Sequence, residues 1–409
     1  METISIEDFF KAYYECRKHK RNTYNAARFE AGGYRKRLIK LCNDVNNDRY
    51  KISRSICFIV TRPKPREIFA ADFRDRIVHH VVIDRLMPIF ESEFIEDSYS
   101  CRIGKGTTYG VERLHQKVKE ASQNYNKDCW VGKFDLRGFF MSISKKKLWE
   151  TVKKMIIKKY KGDDIEIILR LTKQIILNDP RKNCYKKSKE EDWNKLSPGK
   201  SLFTCEEGYG LPIGNITSQL FANYFLNEFD HWMQSMFKWY GRYVDDFYVI
   251  AETKEEITSK VKKIDNYLRK KLGLSLNQDK THIQHYMKGV KFIGSVVKGP
   301  VVYISNQTIS NIYRVIHRFN DMEKTPENAL DVRNVLNSYL GFLCQHDTEK
   351  KRRKILGKLD TEWWNYLMPK DEHLTALQIR PYYEPKYLKQ KEYEKRLEEN
   401  FWMDSFDSP

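Results

Sequence analysis

The chain has no apolar run approaching the ~20 residues of a membrane-spanning helix, so no membrane partner is expected. Its N-terminus, Met1-Glu2-Thr3-Ile4-Ser5-Ile6-Glu7-Asp8, is acidic and lacks the charged-then-apolar order of a secretory signal. Eight cysteines are scattered over 409 residues with no Cys-x-x-Cys pair. That excludes a zinc signature and a disulfide framework, and it fits a reducing cytoplasm. His79 and His80 have no carboxylate or cysteine pattern of a metal site beside them and read as structural. The Gly-rich stretch Ser98-Tyr99-Ser100-Cys101-Arg102-Ile103-Gly104-Lys105-Gly106 lacks the Gly-Lys-Ser/Thr of a phosphate-binding P-loop. No internal repeat is visible.

What the chain does have is positive charge. The formal net charge is +19 and the pI about 9.3, which points to a polyanionic partner. With 41% hydrophobic residues it can fill two or three subdomain cores. Against this basic background stands Arg242-Tyr243-Val244-Asp245-Asp246-Phe247-Tyr248-Val249-Ile250, which reads as strand, tight turn, strand. Adjacent aspartates at a hairpin tip repel each other; they make sense beside a divalent cation that wants hard oxygen ligands. The plain alternative is a surface Asp-Asp turn. A second apolar run, Trp130 to Phe134, ends in Asp135. Three carboxylates on neighbouring strands suit a two-metal, in-line phosphoryl transfer. Between them, Gly210-Leu211-Pro212-Ile213-Gly214-Asn215 leads into a helix with Ala222, Phe225, Leu226 and Phe229 on one face. Gly214 would let backbone approach a template or nucleotide.

Taken in this order, the three segments resemble a bacterial reverse transcriptase over roughly residues 20 to 360. Asp135 matches the family's first catalytic aspartate, Gly210 to Gln219 its loop-helix motif, and Tyr243 to Asp246 its Tyr-x-Asp-Asp box. Group II intron enzymes and most retroviral ones carry Gln-Gly in the loop and Ser-Pro after it; here Ile213-Gly214 and Ser218-Gln219 stand instead. That variant resembles the enzymes of diversity-generating retroelements and the related defence-associated groups. The resemblance implies an α+β right-hand polymerase with fingers, a split βαβ palm and a helical thumb. It implies RNA-directed DNA polymerisation with two Mg²⁺ ions on Asp135, Asp245 and Asp246, which are both catalytic and metal-binding. It also implies Arg66 and Lys64 on the incoming dNTP, Lys280 near its triphosphate, Gln219 beside the nascent pair, and Phe140 excluding a 2′-hydroxyl. Arg102, Lys105 and Gly214 would meet nucleic acid, as would the thumb run Lys350-Lys351-Arg352-Arg353-Lys354, whose alternative reading is a solvated helix face.

The expected domains are basic N-terminal helices (1–45), fingers (46–125), palm (126–298), thumb (299–370) and a C-terminal tail (371–409). Ser5 and Asp8 predict a capped first helix ending in the basic run Arg17 to Arg21, and Asn22 to Asn43 reads as helical. Phe73 to Phe94 reads as a helix kinked or interrupted at Pro88. The Lys- and Glu-rich segment 181–208 reads as a solvent-exposed, mobile insertion in the palm. Glu384 to Phe401 reads as a charged helix for docking a second copy or an accessory protein. No RNase H-like, maturase or endonuclease extension is identifiable. The template is therefore expected to be a structured non-coding RNA, copied into a DNA product either in anti-phage defence or in a diversity-generating cassette. A catalytically inactive RNA-binding scaffold is the competing reading of another class, and the intact acidic triad argues against it.

Overall fold

The computed structural model describes residues 3–383 apart from 19, 22, 62, 63 and 198. The chain divides into two compact units, one ending at Val290 and the other beginning at Lys291.

The N-terminal unit opens with the helix Ile6–Lys18. Ser5 Oγ accepts from Asp8 N at 3.2 Å and donates to the Asp8 carboxylate at 2.8 Å, a cap of the expected kind. Phe9, Ala12, Tyr13 and Cys16 fall on one helical face and are buried. That face packs on Phe73–Glu93, which runs unbroken through Pro88. Proline removes one backbone donor, and the buried side chains from Phe73 to Phe90 hold the helix regardless. The next helical stretch, expected from Asn22 (itself outside the described residues), is two helices, Tyr24–Glu30 and Tyr34–Asn46. Gly32 and Gly33 between them take φ of +77° and +106°, which a continuing helix cannot accommodate.

A small sheet follows. Ser55–Val60 and Arg66–Ala70 pair antiparallel. Their third partner is Cys184–Lys186, parallel to the first strand. The segment expected as a mobile insertion is therefore built into this sheet. Lys187 N donates to Cys57 O and Ile59 N to Ser188 Oγ, both at 2.8 Å. The buried Glu67 carboxylate accepts from Ser201 Oγ at 2.5 Å and Leu202 N at 2.6 Å. The physical reason is that Cys57 and Phe69 need cover, and Leu202 and Phe203 supply it.

The main sheet has the order Trp239–Tyr243, Asp246–Ala251, Trp130–Asp135, His282–His285, all antiparallel. Phe134 and Phe247 stack across the central pair at 5.1 Å. Gly132 lies on the central strand because a Cβ there would come 2.9 Å from Ile257 Cγ2, on the helix Lys254–Tyr267.

The C-terminal unit begins within the strand Val290–Phe292, which forms a three-stranded sheet with Ser295–Lys298 and Val301–Ile304. The expected palm boundary at 298 falls inside this sheet, between its second and third strands. Three helices follow, Asn306–Asn320, Pro326–Leu343 and Glu349–Leu356, around a core that includes the fully buried Trp363. Leu367–Pro369 pairs with Leu377–Ile379, so the first residues expected as a separate tail are folded into this unit. The expected helix Glu384 to Phe401 lies outside the described residues. Among the described residues no helix is long and apolar enough to cross a membrane.

Candidate active site

The central strands bring the acidic residues together. Asp135 is the cross-strand partner of Asp246, and Tyr243 pairs with Asp246 on the other side. Val244 and Asp245 therefore form the hairpin tip. Val244 has φ of +56°, a left-handed conformation that disfavours a β-branched side chain. The fully buried Arg242 holds it there. Its Nη1 donates to Val244 O and to Asn223 Oδ1, each at 2.9 Å, and its Nε donates to Asp230 Oδ1 at 2.6 Å. Tyr240 OH donates to the same Asp230 oxygen at 2.6 Å. Arg242 and Asp230 were not among the site residues expected from the sequence. The one available signal was an arginine at an inward position of an apolar strand.

The tip itself is electrostatically unsettled. Burial pushes the Asp245 carboxyl up to about 6, and the charges of Asp135 and Asp246 add to the push. Asp246 is also raised, by burial first and then by Asp135, with Lys133 at 3.4 Å opposing. Lys280 Nζ donates to both oxygens of Asp135 at 2.9 Å, and Asn277 Nδ2 donates to the same carboxylate at 3.2 Å. Burial works to lower the Lys280 ammonium, but the bonds to Asp135 outweigh it and hold the group raised. Among the described residues no three His, Cys, Asp or Glu side chains stand close enough to form a ready metal cluster. Lysines engage two of the carboxylates instead. The donor chemistry nevertheless fits a hard divalent cation: three carboxylates would offer it oxygens alone, and among the described residues Asp245 makes no ion pair of its own.

Other expected residues surround this point. Leu211 N donates to Phe140 O, and Gly210 N to Ile143 O, each at 2.9 Å, so the loop starting at Gly210 lies against the segment after Asp135. Gly214 has φ of +116°, and a Cβ there would come 2.7 Å from Ile68 Cγ2. Phe69 N donates to Ile213 O at 2.8 Å, which fixes the loop to the strand of Arg66. Arg66 lies near enough to Tyr243 to influence its phenol electrostatically. Arg66 and Lys64 make no ion pair among the described residues. Gln219 is exposed, and its Oε1 accepts from the Cys101 thiol at 3.5 Å.

Four residues expected to meet nucleic acid are engaged within the chain. Arg102 donates to Glu91, to Ile95 O at 2.6 Å and to Ser98 O at 3.0 Å, and it lies over the Phe94 ring. Lys105 donates to Glu96 O at 2.6 Å and pairs with the Glu96 carboxylate at 3.0 Å. In the C-terminal unit Arg352 is buried and donates to His373 O and to Thr348 Oγ1. Arg353 pairs with Glu349 at 3.0 Å and donates to Glu372 O at 2.8 Å. Lys350 and Lys351 are exposed and make no ion pair among the described residues. His79 is buried, its Nδ1 is 3.4 Å from Thr217 Oγ1, and burial lowers it to about 3, so it is a neutral core residue.

Comparison with known proteins bears on this arrangement. The chain is 23% identical over 265 residues to Protein YkfC of Escherichia coli (strain K12), covering 56% of this chain and 62% of the relative. The chain thus spans less than two thirds of that relative's length. Among solved structures it is similar to apo telomerase from Candida tropicalis truncated from its C-terminal domain, with 13% identity and a TM-score of 0.44 over 62% of this chain and 55% of that one. It is also similar to telomerase from Candida albicans in complex with a fragment of telomeric RNA, with 11% identity and a TM-score of 0.42 over 75% of this chain and 55% of that one. The family model described as reverse transcriptase (RNA-dependent DNA polymerase) matches residues 61–297, more than half of the chain. That span holds both acidic strands, the loop between them and Lys280, and the chain belongs to the reverse transcriptase family.

Proposed function

We propose that this chain extends DNA on an RNA template, using two Mg²⁺ ions held by Asp135, Asp245 and Asp246. Reverse transcriptase domains are generally dependent on a divalent metal. The observation that carries the reading is the cross-strand pairing of Asp135 with Asp246, with Asp245 on the strained turn beside them. Bound there, the ions would activate the attacking 3′-hydroxyl and steady the leaving pyrophosphate. The chain's own residues do the rest. With ions held by Asp135, Lys280 would be released from that carboxylate and its ammonium would be free to meet the triphosphate. Arg66 and Lys64, which make no ion pair among the described residues, are available to the same phosphates. Phe140 closes the space at the sugar's C2′, Gln219 and Gly214 border the nascent pair, and Lys350 and Lys351 meet duplex phosphates.

Primer extension tests this. Asp245→Ala with Asp246→Ala should lose dNTP incorporation by at least about a thousandfold, on the scale of losing a catalytic electrostatic group, with the fold intact by circular dichroism. Continued synthesis would refute the assignment. Phe140→Val should raise the ratio of NTP to dNTP incorporation, and an unchanged ratio would leave Phe140 a packing residue only.

For the biological role, the departures at Ile213 and Gln219 favour kinship with diversity-generating and defence-associated enzymes. We assign the chain to anti-phage defence in the cytoplasm, copying a dedicated structured non-coding RNA. Error-prone copying in a diversity-generating cassette is the alternative, and a variable-repeat target among the neighbouring genes would establish it.

A further inference from the structure

Away from the acidic turn, the N-terminal unit holds a cavity of about 940 Å³ between the helices Tyr24–Glu30 and Tyr34–Asn46 and the sheet formed by Ser55–Val60 and Cys184–Lys186. None of the acidic-turn residues lines it. Two tyrosines border it with their rings in solvent: Tyr24 is 77% exposed and Tyr185 54% exposed. Arg54 lies over the Tyr185 ring at 5.6 Å.

The charge of the lining is one-sided. Its acids are already matched, Asp72 by Arg28 and Asp44 by Arg74 at 3.5 Å and Arg49 at 3.7 Å. Among the described residues Arg37 donates to the carbonyls of Arg28 and Phe29, and Arg54 to the carbonyl of Cys184. Lys40 and Lys187 are exposed and make no ion pair among the described residues. Four cations therefore face the cavity with no carboxylate among the described residues to meet them. An exposed aromatic costs free energy in water, and like charges repel. Together they are stabilised by a ligand that brings both a π-face and negative charge at nucleotide spacing.

We propose that this cleft binds an unpaired segment of RNA, with bases stacked on Tyr24 and Tyr185 and phosphates on Lys40, Lys187, Arg37 and Arg54. The occupant is single-stranded, because a duplex keeps its base faces stacked on each other and offers none to a tyrosine. Its being RNA rests on the polymerase reading above, which supplies an RNA partner. The cleft then grips the template RNA at a point that is not being copied. It is large enough for more than one nucleotide, near the upper end of the ~300–1,000 Å³ usual for ligand pockets. Its walls come from chain segments far apart in sequence, so the site exists only in the folded unit.

Fluorescence anisotropy with a 5′-labelled, unstructured 15-nucleotide RNA tests this on the full chain. Tyr24→Ala with Tyr185→Ala should weaken binding by about tenfold or more, on the scale of lost base stacking, and Tyr24→Phe with Tyr185→Phe should restore it. Lys40→Gln with Lys187→Gln should lower the slope of log affinity against log salt by about 1.4, the loss expected for two single-strand phosphates. Hydrogen exchange on the unaltered protein should show RNA-dependent protection at residues 24–41 and 184–187, a readout that needs no variant to fold. Unchanged affinity in the tyrosine pair, or absence of that protection, would overturn the proposal. Equal and equally cleft-dependent binding of the matching DNA would overturn its assignment to RNA. The same measurements in Asp245→Ala/Asp246→Ala protein separate the two readings. Cleft-dependent RNA binding in a wild type that incorporates no dNTP would sink the polymerase reading alone.

Discussion

Asp230 is fully buried and Asp245, at the tip of the hairpin, half-buried, and the two acids are treated in opposite ways. Asp230 receives the Arg242 guanidinium and the Tyr240 hydroxyl, so its charge is met by donors on either oxygen. Asp245 is pushed up to about 6, by burial first and then by the like charges of Asp135 and Asp246. The contrast teaches that the protein knows how to neutralise a buried carboxylate and does not do so at the tip. The charge left unmet there is what a cation would bind, and the satisfied network below is what holds it in position.

The comparison breaks most severely by removing Arg242. Arg242→Met should cost about 3–5 kcal/mol, because Asp230 is left charged and unpaired in the core. Arg242→Met with Asp230→Leu should cost much less than the single change, as urea denaturation would reveal. A smaller effect distinguishes neighbours in the C-terminal basic run. Arg352→Ala should cost about 2 kcal/mol, since it strips donors from the buried Thr348 hydroxyl and from the His373 carbonyl, whereas Lys351→Ala should stay within about 0.5 kcal/mol. Thermal unfolding of the two variants separates them. Equal losses would mean Arg352 is no more internal than Lys351. The smallest effect has the opposite sign. Asp245 is raised from 3.8 to about 6, so the folded state holds a proton between those values that the unfolded chain has released. Stability should therefore fall as pH rises from about 4 to about 6 and stay low above, and Asp245→Asn should remove that fall. The gain should be about 1–2 kcal/mol at pH 7.5 without divalent ions, discounted for partial exposure, and nothing at pH 4. Urea midpoints at the two pH values check it.

The acidic site was legible because its signals are local. An apolar run ending in Asp135, and an alternating hairpin with two aspartates at its bend, fix strand and tip within a few residues of the chemistry. The capped first helix and the three helices after Ser305 were legible for the same reason, since periodicity and caps are short-range. What the sequence hid depends on partners distant in the chain. Arg102, Lys105 and Arg352 look like free cations until Glu91, Glu96 and the His373 carbonyl are folded against them. Arg242 sits beside the signature and was read as flanking sequence, because Asp230 and Asn223 meet it only through the turn between two helices and a strand. The segment 181–208 is largely exposed, as expected, and its strand Cys184–Lys186 left no trace in the sequence because three residues are too short to show an alternation.

That short strand has a consequence for synthesis. It pairs Cys184 with Ser55 and Lys186 with Cys57, so the first small sheet waits for chain made about 130 residues later. At roughly 5–20 residues per second, the hairpin Ser55–Val60/Arg66–Ala70 emerges from the ribosome on the order of 6–26 seconds before its third strand. During that interval its open edge can pair with another nascent chain. Closing so long a loop adds little entropy per extra residue but delays the contact itself. Production of this protein should therefore be sensitive to the pace of translation across residues 71–183, with slower elongation there lengthening the exposure of an unfinished edge.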